Sequence, residues 1–144
     1  MLITKTQFEK YQRIFFQKVK ATPHTIGIEI VSPQVTTSAD FSMENFVGDN
    51  IRTSKLYEFQ ALYEKEISSR MREKYGLPIE VNGIVYLSPK QLVPVLKDYH
   101  LDWNRTKIHF QNRVQVIERI VYLEEMYDSC IGIQIFVKDD SKGG

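Results

Sequence analysis

The chain has 144 residues, of which 42% are hydrophobic, with eight Phe, eight Tyr, one Trp and a formal net charge of +1. That is one domain's length, enough to bury roughly 70% of the unfolded surface without covalent staples. A lone cysteine, Cys130, excludes an intrachain disulfide framework and a multi-cysteine zinc site.

The start, Met1-Leu2-Ile3 followed by Thr4-Lys5-Thr6, lacks the apolar run of a secretory leader. No stretch reaches the roughly 18 apolar residues of a membrane span, so a soluble intracellular protein is expected. The first element is a helix. Thr6 with Glu9 fits a capping box, and Phe8, Tyr11, Phe15 and Val19 recur at helical spacing. Pro23 forbids continuation, which sets the end near Lys20 or Ala21. Ile26, Ile28 and Ile30 then alternate with Gly27 and Glu29 as a half-buried strand that stops before Pro33.

Residues 32–53 turn to Ser, Thr, Asn, Asp and Gly, and Phe41, Met43, Phe46, Val47 and Ile51 fit neither period. A long polar loop is expected there, either a surface excursion pinned by Phe41 and Phe46 or a functional segment. Ser54 is a suitable N-cap for a long central helix, about 54–75, with Leu56, Phe59, Tyr63, Ile67 and Met71 as its stripe. Gly76-Leu77-Pro78 is its stop: a left-handed residue, an apolar fold-back and a blocked extension.

Asn82-Gly83 between Ile79-Glu80-Val81 and Ile84-Val85-Tyr86-Leu87 reads as a type I′ hairpin turn. Ser88-Pro89-Lys90-Gln91 opens a short helix, about 89–98, that Pro94 shortens or kinks. The last third is a β-meander. Thr106–Gln111, Arg113–Leu123 and Cys130–Lys138 alternate apolar and polar residues, but the faces switch near Glu118-Arg119. A bulge or a strand covered on both faces is required at that point. Residues 139–144 should fray. The expected architecture is therefore α+β: a mainly antiparallel sheet ending in a C-terminal β-meander, with the N-terminal, central and short helices, in a single domain 1–144.

Little chemistry is gathered in the sequence. His24, His100 and His109 have no metal-ligand spacing, and His109 should be a surface imidazole in its strand. Cys130, at the head of an apolar strand, should be a small buried group rather than a nucleophile. No nucleophile elbow or glycine-rich phosphate loop is present. Glu124-Glu125 with Asp128, or Asp139-Asp140, are oxygen donors for a divalent cation, yet adjacent acids at turns are more often solvated. No catalytic, cofactor or metal site is therefore assigned, and a non-enzymatic role is expected.

Charge is distributed unevenly. Lys5, Lys10, Arg13, Lys18 and Lys20 against Glu9 give residues 1–20 a net +4, while residues 124–142 carry −3. Such asymmetry steers association. The candidate interface residues are Lys10, Arg13 and Lys18 on the first helix, Phe41 and Phe46 in the loop, and Glu124, Glu125 and Asp128.

The order of elements resembles the small head-to-tail joining proteins of tailed bacteriophages, of the stopper or head-closure type. Two stretches carry it: Phe8–Val31, and Thr106–Val137 with its Phe110-Gln111-Asn112-Arg113-Val114-Gln115-Val116 strand-turn-strand. That family implies a compact barrel, from which the expected long helix and Asn82-Gly83 hairpin depart. It also implies a virion structural protein: a homo-oligomeric ring in the neck, bound to portal, adaptor or tail proteins, with possible contact with DNA and no membrane. The alternative is a cytoplasmic nucleic-acid-binding or regulatory module that uses the basic first helix, although a pI near 7.8 falls below a strongly basic footprint.

Overall fold

A computed structural model describes residues 3–22, 24–31 and 54–140. The elements are α1 (Lys5–Lys20), β1 (Thr25–Val31), β2 (Ser54–Gln60), β3 (Leu62–Glu64), α2 (Ser69–Tyr75), β4 (Val81–Leu87) and α3 (Pro89–Leu96). A 3₁₀ turn at Trp103–Arg105 then leads into β5 (Thr106–Phe110), β6 (Arg113–Leu123) and β7 (Gly132–Asp139). The architecture is α+β, with a C-terminal meander as expected.

The seven strands of the described residues lie in one antiparallel sheet, in the order β2-β1-β5-β6-β7-β4-β3. Its two outermost strands are consecutive in the chain, with only Ala61 between them. Residues 54–64 are thus one bent strand. Its first part pairs with β1 (Thr25 opposite Gln60) and its second with β4 (Leu62 opposite Tyr86), so the sheet curls round until its edges meet. The bend is tied down by the Ala61 amide donating to the His24 carbonyl and the Thr22 hydroxyl donating to the Ala61 carbonyl.

The interior is packed with alternate residues of the strands, among them Ile26, Ile28, Phe59, Tyr63, Val85, Ile108, Phe110, Ile133 and Ile135, all buried. Side chains of this size contribute roughly 1.5–3 kcal/mol each when fully buried. Two helices cover the outside of β4 and β7. Ile67, Met71, Tyr75 and Leu77, in and around α2, pack on Val81, Ile84 and Phe136. On α1 the Phe15 ring fills the space beside Gly132, where a Cβ would lie 2.4 Å from it. Only glycine lets the helix sit that close.

Several expectations hold. α1 ends at Lys20, and β1 follows as read. Gly76 caps α2 with φ +60°, and Leu77 folds back to donate to the Arg72 carbonyl. α3 carries the Ser88/Gln91 capping box with Pro89 in its first turn, and ends at Leu96 rather than near 98. In β6 the register against β7 shifts between Ile117 and Arg119, which is the bulge the face switch required. Cys130 is fully buried, and burial pushes its thiol up to about 12.

Other expectations fail, each for a local reason. The long helix expected at 54–75 is strand at Ser54–Gln60 and Leu62–Glu64, and only Ser69–Tyr75 is helical, capped by Ser68 instead of Ser54. The stripe fitted a 3.6-residue period, but the alternative set Tyr57, Phe59, Ala61 and Tyr63 fits a period of two and faces the core. Asn82-Gly83 is no turn. β4 runs straight through it, with a register irregularity between Val81 and Gly83. Gly83 is needed because the Tyr63 hydroxyl occupies the space of its missing Cβ, 2.2 Å away.

The capping box of α1 is Thr4 with Gln7, two residues before the expected one; the same pattern occurs there and the longer helix uses it. His109 is, as read, a partly exposed imidazole on its strand, and it is paired with Glu29 at 2.7 Å. Its hydrogen bond holds the Glu29 carboxyl below the usual range. Asp139 does not fray: it ends β7 and accepts hydrogen bonds from Asn82, Gln115 and Arg113. The Asp140 amide donates to the Val114 carbonyl. The expectations for residues 32–53 and 141–144 lie outside the described residues.

Candidate interaction surface at one end of the barrel

Strand directions sort the connections between two ends. Antiparallel pairing places the C-termini of β1, β4 and β6 and the N-termini of β2, β5 and β7 together. Residues 32–53, α3 with the 97–105 segment, and the 124–131 connection therefore all leave from this end. The opposite end carries the β5–β6 turn, the start of β4 and the last residues of β7.

That opposite end is closed by a polar network. Tyr63 Oη donates to Gln115 Oε1 at 2.7 Å, and Gln115 Nε2 donates to Asn82 Oδ1 at 3.0 Å and Asp139 Oδ1 at 3.3 Å. Asn82 Nδ2 and Arg113 Nη2 complete the Asp139 carboxylate at 3.1 and 2.5 Å. The Arg113 bond, ahead of the other contacts, holds the Asp139 carboxyl below its usual value. Gln115 is fully buried with all its polar atoms partnered. Tyr63 also stacks on Phe110, with ring centroids 3.9 Å apart.

The α3 end is built from turns. Met126 and Ser129 exchange backbone hydrogen bonds, and the two residues between them, Tyr127 and Asp128, both have positive φ (54° and 58°). This is the hairpin geometry that the sequence pattern suggested at Asn82-Gly83. Glu125 accepts from Tyr99 Oη at 2.8 Å and lies 3.0 Å from His100 Nε2, while His100 Nδ1 lies 3.3 Å from Asp98. These contacts pin the 97–102 segment to the 124–131 turn. Burial, with the Glu125 carboxylate beside it, raises the Tyr99 hydroxyl above the usual tyrosine range. The His100 backbone amide, foremost, holds Asp98 below its own.

α1 is fastened to the same turn. Gln12 Nε2 donates to Ser129 Oγ and to the Cys130 carbonyl, both at 2.8 Å. Tyr127 Oη donates to the Ile3 carbonyl, and its ring meets Phe8 edge-on at 5.5 Å. Between α1 and α3 runs an open groove of about 540 Å³, with apolar walls from Phe16, Val93, Pro94 and Tyr99 and polar lining from Lys90 and Asp128. Val93, Val95 and Tyr127 are 42%, 48% and 47% exposed, an apolar presence at a surface otherwise rich in acids.

The candidate residues separate into three groups. Lys10, Arg13 and Lys18 are exposed on α1, and none of the ion pairs among the described residues includes them. Glu124, Glu125 and Asp128 share the turn packed against the first half of α1, so the basic helix and the acidic turn are neighbours, not opposite poles. The remaining acids of the C-terminal region, Asp139 and Asp140, sit at the other end beside Arg113 and Lys107. Phe41 and Phe46 lie outside the described residues. Gln12, Phe16, Val93 and Tyr99 were not singled out in the sequence; a polar Gln12 among Phe8, Phe15 and Val19 on the inner face of α1 was the available signal.

Among the described residues no helix is long and apolar enough to cross a membrane, and no three His, Cys, Asp or Glu side chains converge as a cation site. No family model, curated protein or solved structure matches the chain.

Proposed function

We propose that this chain is a non-enzymatic structural subunit of a tailed-phage neck ring, of the stopper or head-closure type, assembling through contacts made by the α3 end of its barrel. One observation carries the reading: three connections, including the longest in the chain, leave a barrel filled with side chains from the same end. The two described ones, α3 with the 97–105 segment and the 124–131 turn, bring exposed apolar side chains and acids with them. A surface of that kind suits protein partners, either other copies or the portal, adaptor and tail proteins of a neck. Ring subunits need two different complementary patches, and the α3 end and the basic outer face of α1 are two such patches. Mass spectrometry of purified virions from the source phage tests it. The chain should be present in particles at ring stoichiometry, and its absence sinks the reading.

A second reading rests on Lys10, Arg13 and Lys18, exposed together and outside the ion pairs: an intracellular module that binds nucleic acid through α1. It expects binding that falls steeply with salt, and a shallower salt slope when the three residues become Gln. No binding at low ionic strength removes it.

A further inference from the structure

We infer that the groove between α1 and α3 seats residues 32–53 of a neighbouring copy of this chain, linking subunits head to tail. The inference rests on the ring reading above and names the contact that reading leaves open. The groove joins apolar walls to one cation, Lys90, and one carboxylate, Asp128, with further cations flanking it on α1. Lys90 lines it, and the Lys20 ammonium stands 5.4 Å from the centroid of the Phe16 ring that forms one wall. Neither lysine takes part in an ion pair among the described residues, and Lys10 and Arg13 continue the positive charge along the outer face of α1. Lys90 with Lys20, Lys10 and Arg13 outweighs Asp128 along the α1 side, so the groove suits a chain segment that is both acidic and apolar.

Residues 32–53 have that composition. They hold Asp40, Glu44 and Asp49 against Arg52, with no Lys, and Phe41, Met43, Phe46 and Val47 fall within seven positions. Their anchors are fixed: Val31 and Ser54 are register partners in β1 and β2, so the segment starts and returns at the α3 end. Groove and segment are different surfaces of one chain. A contact between them is heterologous, and its repetition closes a ring when the rotation between copies allows. Burial of Phe41 and Phe46 against Val93, Pro94 and Phe16 supplies the apolar contact, and the lysines meet the carboxylates at its margin.

Disulfide trapping between separately purified variants tests this. A chain with Val93→Cys is mixed with one carrying Phe46→Cys under mild oxidation, so that any bond between them joins two copies. Cys130 is fully buried and does not compete. Ile79→Cys, 86% exposed at the opposite end of the barrel, serves as the control partner. The Val93→Cys and Phe46→Cys pair should form a linked dimer at least about tenfold faster than the control pair, because docking raises the local concentration of the two thiols. A rate equal to the control overturns the inference. So does a chain carrying both cysteines that closes on itself as a monomer. Detection of the chain in virions together with a control-level rate overturns the docking alone, whereas fast trapping of a chain absent from virions keeps the docking and removes the phage ring.

Discussion

The two ends of the barrel are finished by different means. One is closed from within: Tyr63, Gln115, Asn82, Asp139 and Arg113 satisfy one another, and a glycine at position 83 makes room for the tyrosine hydroxyl. The other is closed by α3, whose Leu92 is fully buried in the barrel core while Val93 and Val95 face outward. A polar network of this kind specifies one arrangement, and Ile79 is the exposed apolar side chain beside it. An apolar plug with exposed neighbours stabilises the fold from its inner face and offers its outer face for contact. On the reading proposed above, the difference gives specification to one end and association to the other.

Substitutions at the two ends can break or sharpen that contrast. The largest effect is expected from Leu92→Ala, which opens a cavity beneath α3 and should cost about 2–5 kcal/mol in urea unfolding. Next comes Gln115→Leu, which leaves the buried Tyr63 hydroxyl without an acceptor and should cost about 1–3 kcal/mol. A loss as large as that of Leu92→Ala would make the network more than a set of satisfied hydrogen bonds.

The acid dependence comes third. The folded value of Asp139 is depressed by Arg113, so its contribution is complete above its ordinary value of 3.8 and is lost as pH falls through the lowered one. Asp139→Asn should therefore lower the urea midpoint at pH 7, with the difference from the parent chain shrinking towards pH 3. An unchanged gap at low pH would mean that the carboxylate's charge is not what matters. The smallest effect on stability belongs to Val93→Asp, within about 0.5 kcal/mol, because the position is exposed. The same substitution should abolish association at the α3 end, read by trapping or by sedimentation. If it unfolds the chain instead, the outer face of α3 is core and the contrast fails.

Legibility in the sequence followed locality. α1, β1, α3 and the Gly76 stop are written in neighbouring residues, as caps, prolines and periods, and they appear where expected to within two residues. The β6 bulge was legible because a face switch within one strand has few physical remedies. Residues 54–64 were not, because Phe59 and Tyr63 belong to both a helical and an alternating stripe. The choice was made by β1 and β4, strands far away in the chain. Asn82-Gly83 misled for a related reason: glycine there answers a distant tyrosine rather than a local turn. The groove was illegible altogether, since Phe16, Val93 and Tyr99 meet only through the packing of α1 and α3 around the 124–131 turn.

The bent strand has a consequence for how the sheet forms and opens. β5, β6 and β7 pair with near neighbours in sequence, and so does the strand through Ala61 (Thr25 opposite Gln60, Leu62 opposite Tyr86), whereas β1 with β5 (Gly27 opposite His109) and β4 with β7 (Val85 opposite Ile135) join segments much further apart. Such non-local closure is slow, because the entropy of bringing distant segments together is lost before the contacts form. The bent strand is mostly exposed along Ser54–Gln60 while Gly132–Val137 are buried, so it should be the first sheet element to open. Native-state hydrogen exchange should give the amides of residues 55–59 lower opening free energies than those of Ile133–Val137; equal protection would mean that the barrel opens as a single unit.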